Sequence, residues 1–226
     1  MNSINKKKSY EFVTFTDVSI NDRFFRQKIE VNRKQTIPYV YDMLREGRRF
    51  DAYKPDAKSI AKDIYKMYWE SEVAKWIEAA SYSIATNYDP ELDLLIDRVI
   101  ELITSIQQPD GYLNAYITVF HPEERWKNLF TCHELYNAGS LIEAAVAHFK
   151  ATKKRTLLDP ICRYVDYIDT VFGEEEGKKH GYDGHPGIEL ALVKLYHVTG
   201  NLKYLKLGWY FLNERGKVPN YFDREN

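Results

Sequence analysis

Cysteine is nearly absent from this chain of 226 residues; Cys132 and Cys162 are the only two. Two thiols so far apart make neither a disulfide framework nor a metal-spaced pair. Long apolar runs are missing as well. No window offers the roughly 18 uninterrupted apolar residues that a membrane helix needs. Met1 to Tyr10 is polar and lacks the apolar stretch of an export leader. These absences predict a soluble, cytoplasmic protein. Neither charge dominates: 32 Lys and Arg face 33 Asp and Glu, for a formal net charge of −1. A nucleic-acid partner would require a basic footprint, so none is expected. The run Lys6-Lys7-Lys8 reads as a solvated terminus. No Gly-rich phosphate loop, serine elbow, His-Glu-x-x-His or Cys-x-x-Cys is present. His121, His148, His180 and His197 show no pairing at metal spacing.

What the chain does contain is amphipathic helix. With 44% hydrophobic and 15% aromatic residues it can bury a sizeable core. Short β-type runs at Phe12-Val13-Thr14-Phe15 and Val18-Ser19-Ile20 predict an extended N-terminal arm over residues 1–30. Helical periodicity then predicts helices at Thr36–Glu46, Glu72–Thr86, Pro90–Ile106, Leu135–Ala151, Thr156–Val171, Gly187–Val198 and Leu202–Leu212. The segment 114–132 reads as a long loop rich in aromatic and charged residues. A shift of 47 residues lays Leu141 on Ile188, Ala144 on Ala191, Thr152 on Thr199 and Tyr164 on Phe211. A period of that length built from two helices means stacked helical hairpins.

Three stretches carry candidate chemistry. Asp110-Gly111-Tyr112-Leu113-Asn114 is a turn followed by an aromatic and an amide. It serves either as a helix stop or as a sugar-facing loop, with an aromatic face for stacking and an amide for hydroxyls. His133 and Glu134 sit at the mouth of a helix, where an acid suits the macrodipole. Gly181-Tyr182-Asp183-Gly184-His185-Pro186-Gly187 concentrates three glycines and a proline around one His, a tight turn that aims His185 from a helix start.

Four signatures together resemble the glycoside hydrolases of the β-L-arabinofuranosidase type, glycoside hydrolase family 127. They are Ser71-Glu72-Val73-Ala74-Lys75-Trp76-Ile77-Glu78-Ala79-Ala80, Gln107-Gln108-Pro109-Asp110-Gly111-Tyr112-Leu113-Asn114, His133-Glu134-Leu135-Tyr136-Asn137-Ala138-Gly139 and Gly184-His185-Pro186-Gly187-Ile188-Glu189-Leu190-Ala191-Leu192. The resemblance spans residues 12–226. It implies an all-α fold of the (α/α)6-barrel (toroid) type, retaining hydrolysis of terminal β-L-arabinofuranosyl groups, and a zinc-held Cys nucleophile with Glu partners. It also implies that His133 and His185 bind sugar, with Gln108, Tyr112 and Asn114 lining the same pocket. Local departures are Ser140 where the family often has His, Val40 where a polar residue is expected, and Ala115 where Thr is usual.

No position here matches the zinc ligands, the nucleophile or the acid/base carboxylate, which the resemblance places beyond Asn226. The expectation is therefore an incomplete barrel, residues 31–226 being its N-terminal portion, with no catalytic residue, metal site or cofactor of its own. Zinc is implied for full-length relatives only. Its partner would be a small-molecule or oligosaccharide substrate, and its open edge would be covered by self-association or by a missing C-terminal half. The rival reading is a non-catalytic helical-repeat module that binds sugar or serves as a scaffold.

Overall fold

The computed structural model describes residues 13–61 and 65–225. Among the described residues ten α-helices follow in chain order: α1 (Arg23–Val31), α2 (Ile37–Glu46), α3 (Ala57–Ala61), α4 (Trp69–Thr86), α5 (Pro90–Thr104), α6 (Glu134–Thr152), α7 (Leu158–Val171), α8 (Ile188–Thr199), α9 (Leu202–Arg215) and α10 (Phe222–Glu225). No strand occurs among the described residues; a single bridge joins Phe172 and Lys179. None of these helices is long and apolar enough to cross a membrane.

The N-terminal arm differs from its expectation. Phe12 lies outside the described residues. Phe15–Asp17 forms one 3-10 turn, and the helix begins at Arg23, inside the span expected to be extended. The cause is Asp22, whose Oδ1 accepts from Phe24 N at 2.9 Å and Phe25 N at 2.8 Å. That N-cap outweighs the β preference of the neighbouring aromatics. A π-helical turn, Asn32–Thr36, then carries α1 into α2 without a break.

The seven expected helices match α2 and α4 to α9 to within a few residues at each end. Helices α4, α6 and α8 lie side by side, and α5, α7 and α9 pack against them as the return arm of each hairpin. Such alternation of two layers is how a helical toroid is laid down. Helix α6 is central: from Glu134 to His148 almost every residue is buried, as expected of a helix packed on several sides. Indole Nε1 of Trp76 donates to Ile37 O at 3.0 Å, tying α4 to α2.

The 47-residue repeat is built into the turns. Thr152 Oγ1 donates to His148 O at 2.7 Å, and Thr199 Oγ1 to Leu195 O at 2.8 Å. Each hydroxyl also accepts from the backbone N–H two residues on, Lys154 and Asn201. Between them stand Lys153 (φ 64°) and Gly200 (φ 71°), both left-handed, closing α6 and α8. Only at the second does the sequence supply the residue that this conformation favours. A Cβ at Gly200 would meet nothing within 4 Å, so the cost of a side chain there is purely conformational.

Lys153→Gly is therefore expected to stabilise the protein by about 1 kcal/mol, and Gly200→Lys to destabilise it by about as much. Urea unfolding measures both; changes of the same sign would show that the two turns are not equivalent.

Candidate functional site

The N-terminal end of α6 gathers the site. His133 is its N-cap residue but has φ 53°, in the left-handed region, and its own side chain makes no cap. The capping acceptor comes instead from Asp183, fifty residues away. Asp183 Oδ2 accepts from Leu135 N at 3.1 Å and Tyr136 N at 3.2 Å. Its Oδ1 accepts from His185 N at 2.8 Å and lies 3.3 Å from His133 Nδ1. This carboxylate is fully buried. A negative charge there neutralises orphan amides and the positive end of the helix.

The clamp brings together two histidines that are far apart in sequence. Their ring centroids are 6.0 Å apart, and the Tyr136 ring lies 4.4 Å from that of His185. Lys75 Nζ, from α4, donates to Tyr136 Oη at 2.8 Å. His185 is exposed and His133 half-buried. His185 Nδ1 lies 2.8 Å from Pro186 O, which can only accept, so Nδ1–H donates to it. A Cβ on Gly184 would come within 2.1 Å of Phe130 O, so only glycine lets the 181–187 turn seat against the preceding loop.

The other three residues expected at the pocket are placed differently. Tyr112 and Asn114 are buried. The Tyr112 ring is packed edge-on against Trp126, Tyr164 and Tyr167 and covered by the Arg125 guanidinium, which leaves no face for a sugar. Its hydroxyl hydrogen-bonds Glu134 Oε2. Asn114 Oδ1 accepts from Ile117 N at 2.9 Å, and the Gln108 amide donates to Ile106 O at 2.9 Å. Asn114 and Gln108 thus bond within their own loop, and Tyr112 ties it to Glu134 at the start of α6.

Two acids that spacing alone did not single out hold that loop. Glu70, on α4, accepts from Ala115 N. Glu134, on α6, accepts from Trp126 N at 2.7 Å and from the Tyr112 hydroxyl. Burial pushes the carboxyls up, Glu70 to about 8 and Glu134 to about 7. Both are sealed from solvent, so neither can flank a scissile glycosidic bond as it stands.

The zinc implied for relatives finds no thiolate set here. Cys132 precedes α6 and Cys162 lies on α7; burial pushes both thiols up, where a metal-held thiolate would need them down. Among the described residues the only cluster with metal-ligand geometry is Asp93, Asp97 and His148, which contains no cysteine. The arrangement can donate and accept hydrogen bonds to hydroxyls.

Comparison with known proteins agrees with this anatomy. Residues 17–226 match the family model of the β-L-arabinofuranosidase GH127 catalytic domain. The non-reducing end β-L-arabinofuranosidase of Bifidobacterium longum subsp. longum is 42% identical over 163 residues, covering 70% of this chain and 25% of that protein. The crystal structure of a GH127 β-L-arabinofuranosidase from Geobacillus stearothermophilus T6 superposes with a TM-score of 0.87 at 49% identity, over 92% of this chain and 34% of that one. A second GH127 β-arabinofuranosidase structure gives 0.83 at 36% identity, over 91% and 34%. The chain thus spans about a quarter to a third of the length of these relatives.

Two outcomes follow from this geometry. Asp183→Ala leaves three backbone amides without their acceptor and should cost roughly 2–4 kcal/mol in urea unfolding; a loss no larger than that of a surface substitution would show that the clamp carries no weight. In the unfolded chain the two glutamates ionise near 4.5, whereas folding holds the protons to about 7 and 8. The folded state binds more protons between those limits. This contribution to stability is complete below pH 4.5 and drains away as the pH rises through 7 and 8. Glu70→Gln should flatten that decline; an undiminished slope would place the titration elsewhere.

Proposed function

The chain belongs to the GH127 β-L-arabinofuranosidase family, and we propose that it supplies the sugar-binding, N-terminal portion of that family's catalytic barrel. Residues 31–226 form this portion. The ligand is a terminal β-L-arabinofuranosyl group of an oligosaccharide or small glycoside. The observation that carries this reading is the pairing of His133 and His185 across the Asp183 clamp at an accessible helix end. Tyr136 and Lys75 add a phenol and an ammonium to the same rim. Nucleophile, acid/base and zinc belong to the portion of the enzyme that this chain does not span. Its two unbridged cysteines fit the cytoplasmic setting expected from the sequence.

The same reading accounts for an apolar face on the last hairpin. Leu190, Trp209 and Leu212, on α8 and α9, are 59%, 64% and 55% exposed and line one groove. In the stacking order α4, α6, α8, this is the face on which the next hairpin of a ring would seat. Where that hairpin is absent, the face pairs with a second copy or binds apolar dyes.

Calorimetry with methyl β-L-arabinofuranoside tests the site. His133→Ala and His185→Ala should each weaken binding about tenfold, without turnover of aryl β-L-arabinofuranosides even with zinc and reductant present. Binding indifferent to both substitutions would favour a scaffold, and turnover would contradict the assignment of catalysis to another portion. Trp209→Lys should lower both dye binding and the mass seen by light scattering; a monomer that binds no dye before substitution would remove the case for an unfilled seat.

A further inference from the structure

A second cluster lies at the opposite end of α6. His148 is about four turns past His133, roughly 22 Å along the helix axis. It is fully buried, and neither ring nitrogen has a hydrogen-bond partner. An imidazole always presents at least one N–H, and leaving both nitrogens unpaired in the interior costs free energy. Nε2 faces Asp97 Oδ1 at 3.9 Å, too far for a hydrogen bond. That oxygen is buried and unpartnered too. Asp93, one turn earlier on α5, completes the group, and the three ligand atoms lie within 4.8 Å of one another. Tyr88 Oη donates to Asp93 Oδ2 at 3.1 Å, fixing the carboxylate from behind.

The 3.9 Å between His148 Nε2 and Asp97 Oδ1 suits a shared ion. Two donors each about 2.0–2.1 Å from one zinc ion sit roughly 3.3–4 Å apart. Burial lowers the His148 pKa, which keeps the ring neutral and its lone pair available. The present occupant is a side chain: Lys154 Nζ bridges Asp93 Oδ1 at 2.7 Å and Asp97 Oδ2 at 2.6 Å. Lys154 leaves the His148 ring and Asp97 Oδ1 unsatisfied, and its side chain is one-third exposed, free to swing outward. One ammonium against two carboxylates leaves the cluster a charge short of neutral, which a divalent cation would correct.

We propose that Asp93, Asp97 and His148 form a binding site for a divalent cation of the zinc class, with Lys154 as its displaceable internal counter-ion. One nitrogen and carboxylate oxygens favour zinc, cobalt or nickel over calcium or magnesium. The bound ion would staple α5 to the C-terminal end of α6. It is separate from any thiolate-held zinc and does not depend on the sugar reading.

The test titrates metal-stripped protein with zinc alone against a chromogenic chelator, and with cobalt(II) followed by absorption. The expected result is a single ion per chain, a cobalt spectrum without thiolate charge transfer, and a rise in melting temperature. His148→Gln and Asp97→Asn should each weaken binding roughly tenfold or more, and Lys154→Met should tighten it. Because Asp97→Asn also breaks the lysine clasp, the Lys154→Met/Asp97→Asn double variant is compared with Lys154→Met alone. No stoichiometric binding in either the parent or Lys154→Met would overturn the proposal, leaving a lysine clasp only. Binding that survives both ligand substitutions, or that shows thiolate bands, would overturn it equally.

Discussion

The carboxylate of Asp183 fixes the working end of this molecule. Helix α6 is the central rod, and its first turn lacks a capping side chain because His133 has turned into the left-handed region. A fully buried anion reaching back from the 181–187 turn satisfies those amides. One group therefore ends a helix, docks a loop and sets two imidazoles side by side. Removing it would expose a helix terminus and release both histidines together, which couples local stability to the shape of the site.

Beneath this clamp a second pair of acids does a different task. Glu70 and Glu134 turn inward and hold the 114–132 segment by its backbone amides and by the Tyr112 hydroxyl. The long segment is thus a pinned cover with short π-helical and 3-10 turns. Its Trp126 side chain packs into the body, whereas Phe130 stays exposed. The carboxyls that a glycosidase motif search would welcome are spent on structure, and the groups left open to a ligand are imidazole, phenol and ammonium. That division agrees with a chain that spans a quarter to a third of its relatives.

Much of this was legible in the sequence where the signal is local. The stripes Leu92, Ile96, Val99, Ile103 and Val73, Trp76, Ile77, Ala80 foretold α5 and α4, and the 47-residue shift foretold the matched turns at Thr152 and Thr199. The convergence of His133 and His185 followed from resemblance, and the structure does place them together. What failed did so for physical reasons. Phe24 and Phe25 look β-prone, yet the Asp22 cap two residues before them makes a helix. The turn before Tyr112 and Asn114 reads equally as a helix stop or a sugar-facing loop; the structure buries both, and for Tyr112 that depends on the Trp126, Tyr164 and Tyr167 rings brought from elsewhere. Asp183 was visible in its glycine-rich stretch, but no spacing rule joins it to a helix fifty residues earlier. Glu70 offered no signal of its own, standing beside Ser71 and Glu72 in a polar first turn.

The most direct test of the account follows the histidine side-chain NMR signals while methyl β-L-arabinofuranoside is added. The His133 and His185 rings are expected to shift together with one affinity while His148 and His197 stay still, and Asp183→Ala is expected to abolish the response. Saturating sugar that moves neither ring, or that moves one without the other, would contradict a sugar site built on the Asp183 clamp.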